Sequence, residues 1–91
     1  MTSDVKDNPA RGRFELEMNG HPAFADYFRR GSTLVIPHVE AAAPLRGTGA
    51  AGRLMEGVAE IARAEGLKIM PLCGYASSWM RRHKQYHDLL D

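Results

Sequence analysis

Apolar and polar residues alternate along the first third of the chain in the pattern of a β-meander. Residues 14–18 alternate with a period of two, which predicts a half-buried strand. Asn19-Gly20, the strongest short hairpin signal, predicts a turn into a second strand over about residues 23–29. A third apolar run predicts a strand over residues 33–40. Pro37 within it predicts a bulge or an irregular edge, because proline cannot donate to a ladder.

The second half of the chain changes to a helical period. Residues 48–65 carry an apolar stripe that predicts an amphipathic helix, and Gly66 is placed to end it in the left-handed conformation. A short strand over residues 67–72 and a second helix over residues 75–83 follow. The order is therefore β-β-β-α-β-α. The first three strands should form an antiparallel meander, and the last two should lie parallel with a right-handed crossover.

Length and composition narrow the class of protein. Ninety-one residues make one domain, which we assign to residues 12–91 behind a polar, flexible N-terminal tail over residues 1–11. A net charge of +1 gives no basis for general nucleic-acid binding. The single cysteine excludes an intramolecular disulfide, and no apolar run approaches the roughly 18 residues of a membrane helix. We expect a cytoplasmic, monomeric α/β protein with a mixed sheet that binds neither nucleic acid nor membrane.

A glycine-rich turn stands at the start of the first predicted helix, where residues 46–52 read Arg-Gly-Thr-Gly-Ala-Ala-Gly. Glycines let the backbone turn sharply and approach a ligand closely. The first helical N–H groups have no internal partner and point outward at the positive end of the helix dipole. Arg46 adds a permanent positive charge. The turn therefore predicts a phosphate site. The alternative is a tightly packed loop with Thr48 as N-cap.

The same turn spells the dinucleotide-binding pattern G-x-G-x-x-G at Gly47, Gly49 and Gly52. Its context argues against a nicotinamide or flavin site, because residues 41–45 separate the first glycine from the preceding strand. The strand after the helix also ends at Cys73 rather than at the acidic residue that would bind the ribose. A Walker A loop is excluded, since no Gly-Lys-Ser/Thr follows.

Read as Arg46-x-x-Gly49-x-Ala51, the turn resembles the pyrophosphate loop of the GCN5-related N-acetyltransferases, whose pattern is Arg/Gln-x-x-Gly-x-Gly/Ala. Four further segments are similar to very small, single-domain members of that family: His38-x-Glu40, Gly66-Leu67-Lys68, Pro71-Leu72-Cys73, and Arg82-His83 followed by Tyr86. The resemblance covers about residues 13–90. It departs from those relatives where Ala41-Ala42 stands for Val-Pro and Lys84-Gln85 for Pro-Glu.

The resemblance implies a minimal acetyltransferase-like fold, acetyl-coenzyme A as cosubstrate, and transfer of the acetyl group to an amine acceptor. The residues it implies for coenzyme A binding are Arg46, Gly47, Thr48, Gly49, Ala50, Ala51 and Gly52. Larger members of the family carry helices near the N-terminus that shape the acceptor site. The predicted meander begins at once, so the acceptor side should be open. A coenzyme A or acyl-coenzyme A binding module without transferase activity is the rival hypothesis.

Two side chains are the strongest candidates for chemistry, Cys73 and His38, each at the end of one of the two parallel strands. Cys73 precedes a helix N-terminus, which favours the thiolate and allows a route through an acyl-enzyme. His38 could take a proton from the thiol or from the amine. Packing roles remain open for both. Weaker candidates are Glu40 as a base and Tyr75 or Tyr86 as acids. A zinc site at Cys73, His83 and His87 is disfavoured, since a fourth ligand and a Cys-x-x-Cys pair are missing.

Overall fold

Five strands form one sheet in the computed structural model, which describes residues 4–91. The strands and α-helices are β1 (Lys6–Asn8), β2 (Arg13–Met18), β3 (His21–Arg30), β4 (Thr33–Ala41), α1 (Ala50–Glu65), β5 (Lys68–Pro71) and α2 (Gly74–Arg82). Short 3-10 segments cover Ala43–Leu45 and Lys84–Leu89. This is the mixed α/β architecture that the sequence predicts, with one additional strand at the N-terminal end.

The strands lie in the sheet in chain order, β1-β2-β3-β4-β5. Neighbours from β1 to β4 are antiparallel, and β5 is parallel to β4. The predicted meander and the predicted parallel pair are both confirmed. At the β2–β3 hairpin Asn19 and Gly20 have φ of 54° and 78°, the left-handed backbone that tight hairpin turns require.

Strand β1 lies within residues 1–11, where the sequence predicts a flexible tail, and that prediction is wrong for residues 6–8. Lys6 pairs with Glu15 of β2, Val5 is buried, and the Tyr27 hydroxyl donates to Asp7. A three-residue polar strand has no hydrophobic period by which the sequence could predict it. It forms because the free edge of β2 offers backbone groups to pair with. Residues 1–3 of the predicted tail lie outside the described residues.

The helical segments of the described chain pack on a single face of the sheet. Alternate residues of β2 and β3, including Phe14, Leu16, Ala23 and Ala25, point into this core. Both α-helices and both 3-10 segments add buried side chains to the same cluster. The residues between these positions point to the opposite face, which we call the open face. It carries Arg13, Glu15, Phe24, Asp26, His38 and Glu40.

A β-bulge interrupts β4 at the point where its pairing with β5 ends. Asp26 pairs with His38 and Phe28 with Val35, so one residue of β3 lies opposite two residues of β4, Ile36 and Pro37. The irregularity predicted from Pro37 is therefore confirmed. The last β4–β5 pair is Ile36 with Pro71. Beyond it, residues 37–41 of β4 have no strand beside them on the β5 side in the described part of the chain.

Helix α1 begins at Ala50, two residues later than the sequence predicts, because Gly47 and Gly49 have left-handed backbone. It ends at Gly66, whose φ of 71° matches the predicted helix end. Small residues at Ala50, Gly57 and Ala59 are buried and let the helix approach the sheet closely. Within residues 4–91, none of the helices combines the length and the apolar character needed to cross a bilayer.

Candidate functional site

The turn that leads into α1 is built by three local interactions. The 3-10 segment Ala43–Leu45 has Pro44 in its first turn, where the missing N–H is not needed. The N–H of Thr48 donates to the Leu45 carbonyl at 3.1 Å, and the Thr48 hydroxyl donates to the same oxygen. Gly47 and Gly49 then reverse the chain with φ of 80° and 83°. These bonds fix the backbone of the turn before the helix begins.

Unpaired backbone donors gather at the first turn of α1. The N-cap is Gly49, whose carbonyl accepts from the Arg53 N–H at 3.0 Å. The Ala50 N–H uses the Thr48 hydroxyl oxygen at 3.3 Å, so Thr48 serves the turn without being the N-cap. The N–H groups of Ala51 and Gly52 have no acceptor outside the helix among residues 4–91. No acidic residue stands in this turn, so the positive end of the helix dipole is uncompensated.

The space in front of this turn is open. A Cβ built on Gly47 or Gly49 would meet no atom within 4 Å. Arg46 is exposed, and no carboxylate of the described residues pairs with it. Arg53, the next arginine along, is occupied by an ion pair with Asp4. The free N–H groups of Ala51 and Gly52 thus lie in an open turn beside the unpaired cation of Arg46, an arrangement suited to a phosphate.

Helix α2 closes one side of this surface. A Cβ on Gly52 would lie 3.5 Å from the Tyr75 hydroxyl and 3.5 Å from Nε1 of Trp79. A glycine at this position lets α1 and α2 approach closely at their N-terminal ends. Burial raises the pKa of Tyr75, while the charge of Arg82 opposes the rise. Tyr75 is therefore a neutral phenol at the edge of the turn. The sequence names it as a weak candidate but does not reveal its contact with Gly52.

Cys73 lies where the sequence places it, between the end of β5 and the start of α2. It is the N-cap of α2, is half-buried, and packs against the core. Its N–H donates to the Ile36 carbonyl at 3.3 Å, which also accepts from the Leu72 N–H at 2.9 Å. This carbonyl anchors the start of α2 to the bulge in β4. Cys73 is thus at the point where β4 and β5 separate.

His38 lies on the open face and is bonded to Glu40 rather than to Cys73. Its Nε2 is 2.9 Å from Oε1 of Glu40, and both side chains are more than half exposed. A carboxylate only accepts hydrogen bonds, so a neutral His38 carries its proton on Nε2 and presents Nδ1 as the basic atom. Within the described chain, no hydrogen bond joins His38 to Cys73.

The sequence alone does not identify two side chains beside His38, because only the register of the strands brings them there. Asp26 lies directly opposite His38 in the β3–β4 ladder, and its carboxylate has no hydrogen bond or ion pair within residues 4–91. The Phe24 ring is 6.0 Å from the His38 ring, with Arg13 stacked over it at 4.4 Å. The period-two alternation of the second predicted strand is the signal that could have placed them on one face.

The remaining candidates have structural partners. His83 stacks on Trp79 at 3.9 Å, and His87 bonds to the carbonyls of Met80 and Arg81. The Tyr86 hydroxyl donates to Glu60 at 2.7 Å; burial, followed by that bond, raises its pKa to about 12. No group of three or more potential metal ligands forms within residues 4–91.

A separate cavity of about 690 Å³ opens where β1, β2 and β3 begin or end, and no residue of the turn lines it. Three carboxylates, Asp4, Glu15 and Glu17, line it together with Lys6, Leu16, Gly20 and Pro22. The cavity does not touch the groups that could bind phosphate. It borders the open face, where Glu15 and Glu17 also lie.

Two comparisons with known proteins match most of the chain. The model of the GCN5-related N-acetyl-transferase family matches residues 13–89. A solved structure from Staphylococcus aureus, a GCN5-like candidate N-acetyltransferase determined by NMR in solution, has the same fold with a TM-score of 0.74. The two sequences are 25% identical, and the match covers 100% of this chain and 91% of that one. No curated protein matches the sequence.

Proposed function

Since the chain belongs to the GCN5-related N-acetyltransferase family, we propose that it binds acetyl-coenzyme A at residues 46–52 and transfers the acetyl group to an amine. The observation that carries this proposal is the open turn itself. Two left-handed glycines, free N–H groups at a helix start and the unpaired Arg46 stand within the segment that the family model matches. These groups complement the two negative charges of a pyrophosphate.

The same proposal assigns the thioester end of the cofactor to the gap between β4 and β5. The pairing of these strands stops at Ile36 and Pro71, and Cys73 caps the helix beyond. The exposed edge of β4 over residues 37–41 offers backbone groups without a strand partner to the amide-bearing arm of coenzyme A. Tyr75 borders the turn and follows Cys73 by two residues, so its neutral hydroxyl is a candidate proton donor to the departing thiolate.

Transfer to an amine needs a base that receives one proton. The neutral amine attacks the thioester carbonyl carbon, a C–N bond forms, the C–S bond breaks, and coenzyme A leaves as the thiol after protonation. Nδ1 of His38, oriented by Glu40, is the candidate base. The amine acceptor would approach across the open face, where Asp26 and Glu40 attract a cation before it loses its proton.

The binding step is tested by titrating the protein with coenzyme A while recording amide NMR spectra. The largest shifts are expected at Gly47 through Gly52, and coenzyme A should raise Tm by linkage. Shifts confined to the cavity beside β1, with none at the turn, would contradict the assignment. The same titration with adenosine alone, which lacks phosphate, is the matched ligand control.

The role of Cys73 separates direct transfer from a covalent route. Mass spectrometry after incubation with acetyl-coenzyme A is expected to show an acetyl group on Cys73 if the thiol is an acceptor. Cys73→Ala would then lose this adduct and His38→Ala would form it more slowly. Full transferase activity in a folded Cys73→Ala protein would eliminate the covalent route and leave direct transfer. Melting curves of both variants are the control for folding.

A binding module without transferase activity is the second candidate, and one observation favours it. His38 and Glu40 are more than half exposed on a face that no helix of the described residues covers, so water reaches the candidate base freely. A closed site strengthens catalytic electrostatics, and this site is open. An acetylation assay on a panel of amines separates the two: a binding module takes up coenzyme A and yields no acetylated amine.

A further inference from the structure

One face of α2 runs alongside the first turn of α1. Tyr75 and Trp79, one helical turn apart, both lie at 3.5 Å from the Cβ position of Gly52. Arg82 follows on the same side, three residues after Trp79 and seven after Tyr75. This face of α2 is therefore a wall of the turn over residues 46–52, which we call the phosphate turn, and Arg82 stands at the C-terminal end of that wall.

The side chain of Arg82 is drawn back along α2 toward this turn. Its Nη1 donates to the Ser78 hydroxyl at 2.8 Å, four residues nearer the N-terminus of the helix. Side chains on a helix tilt toward its N-terminus, so this bond directs the guanidinium toward Tyr75. Burial raises the pKa of Tyr75, and the positive charge of Arg82 opposes part of that rise.

Arg82 has no competing anion. The two arginines within α1 are paired, Arg53 with Asp4 and Arg63 with Asp88. Arg82 is exposed, and no carboxylate in the described part of the chain pairs with it. A guanidinium has five N–H donors, and the bond to Ser78 uses one of them. The remaining donors can bind a phosphate in the bidentate geometry that arginine favours.

We propose that Arg82 is a second phosphate-binding cation of this protein. It contacts the 3′-phosphate or the pyrophosphate of coenzyme A, beside the pyrophosphate contacts made by Arg46 and the turn. This inference rests on the proposed function, because it takes coenzyme A as the ligand. Coenzyme A carries a pyrophosphate and a separate 3′-phosphate, and both present the oxygen atoms that a guanidinium recognises. The wall formed by Tyr75 and Trp79 fixes the side from which Arg82 reaches the ligand.

The test is the affinity of two variants for coenzyme A and for 3′-dephospho-coenzyme A by isothermal titration calorimetry. Arg81→Gln is the matched control, because Arg81 is also exposed and also donates to a serine four residues earlier, Ser77, but points to the next face of the helix. Arg82→Gln is expected to raise the Kd for coenzyme A about tenfold to a hundredfold, the range for a charged hydrogen bond. Arg81→Gln should change it by less than about threefold.

The two ligands identify the phosphate. An effect of Arg82→Gln that disappears with 3′-dephospho-coenzyme A supports contact with the 3′-phosphate, and an effect of equal size with both ligands supports contact with the pyrophosphate. Equal affinities of Arg82→Gln and Arg81→Gln would overturn the inference while leaving the proposed function intact. No binding of coenzyme A by the unsubstituted protein would overturn both. Arg82→Lys, which keeps the charge without the bidentate fork, should fall between the parent and Arg82→Gln.

Discussion

Replacing Gly49 with alanine tests the physical origin of the phosphate turn. Gly49 is the N-cap of α1 and has a φ of 83°. A residue with a Cβ pays about 1–2 kcal/mol to adopt left-handed backbone. The added Cβ would meet no atom within 4 Å, so no clash adds to this cost. The free energy of unfolding is therefore expected to fall by about 1–2 kcal/mol in Gly49→Ala.

The matched control is Gly52→Ala, three residues further along the same turn. Gly52 has helical backbone, and its Cβ would lie at an ordinary contact distance of 3.5 Å from Tyr75 and Trp79. Alanine stabilises a helix over glycine by about 0.5–1 kcal/mol. The expected result is a loss of about 4–16 °C in Tm for Gly49→Ala, with an equal or higher Tm for Gly52→Ala. Circular dichroism during heating measures both.

Coenzyme A binding should separate the same pair. In Gly49→Ala the strained N-cap would disturb the backbone that positions the free N–H groups, whereas in Gly52→Ala the methyl group points at α2 and the helical backbone is kept. Gly49→Ala should therefore bind coenzyme A more weakly than Gly52→Ala at a temperature where both are folded. If the two variants matched the parent in Tm and in Kd, the left-handed N-cap would not be the reason for glycine at this position.

Two further predictions follow from the pairing of charges and from burial. Arg46→Ala should weaken coenzyme A binding about tenfold to a hundredfold. Arg53→Ala should weaken it less, because the Arg53 guanidinium already forms an ion pair with Asp4. Calorimetry compares the two variants, and equal losses of affinity would contradict the assignment of Arg46. The pKa of Tyr86 is raised to about 12 from the 10.0 of a free phenol. The protonated Tyr86 therefore adds to the free energy of unfolding. This contribution is fully present below pH 10 and is lost as pH rises to about 12. Tyr86→Phe should have a lower free energy of unfolding at neutral pH, and that free energy should fall less steeply between pH 10 and about 12 when measured by urea unfolding. A pH profile equal to that of the parent would refute the assigned role of Tyr86.

The β-meander, α1 and the glycine-rich turn before α1 were predictable from local sequence because each depends on short-range physics. The alternation over residues 14–18 and the Asn19-Gly20 turn define β2 and the hairpin. A helical apolar stripe ending at Gly66 defines α1. Pro37 predicts the bulge, because a proline has no N–H to donate and so interrupts the ladder at its position.

The sequence failed where a partner distant in the chain supplies the interaction. Lys6–Asn8 has no apolar period, and it is a strand only because β2 offers it an edge. The misplaced start of α1 has a local cause instead: Gly49 in left-handed backbone keeps the first two residues of the predicted helix in the turn.

The conformation of the turn over residues 46–52 was therefore determined by local sequence, and its surroundings were decided by tertiary structure. Residues 46–52 carry their conformation in their own glycines and hydrogen bonds. The walls of the site depend on packing: Tyr75 and Trp79 reach Gly52 because α1 and α2 lie side by side on one face of the sheet. His38 bonds to Glu40 on the open face because the bulge resets the alternation of β4. Backbone conformation is local, but the face on which a side chain emerges depends on register, and register is set by strands far apart in sequence.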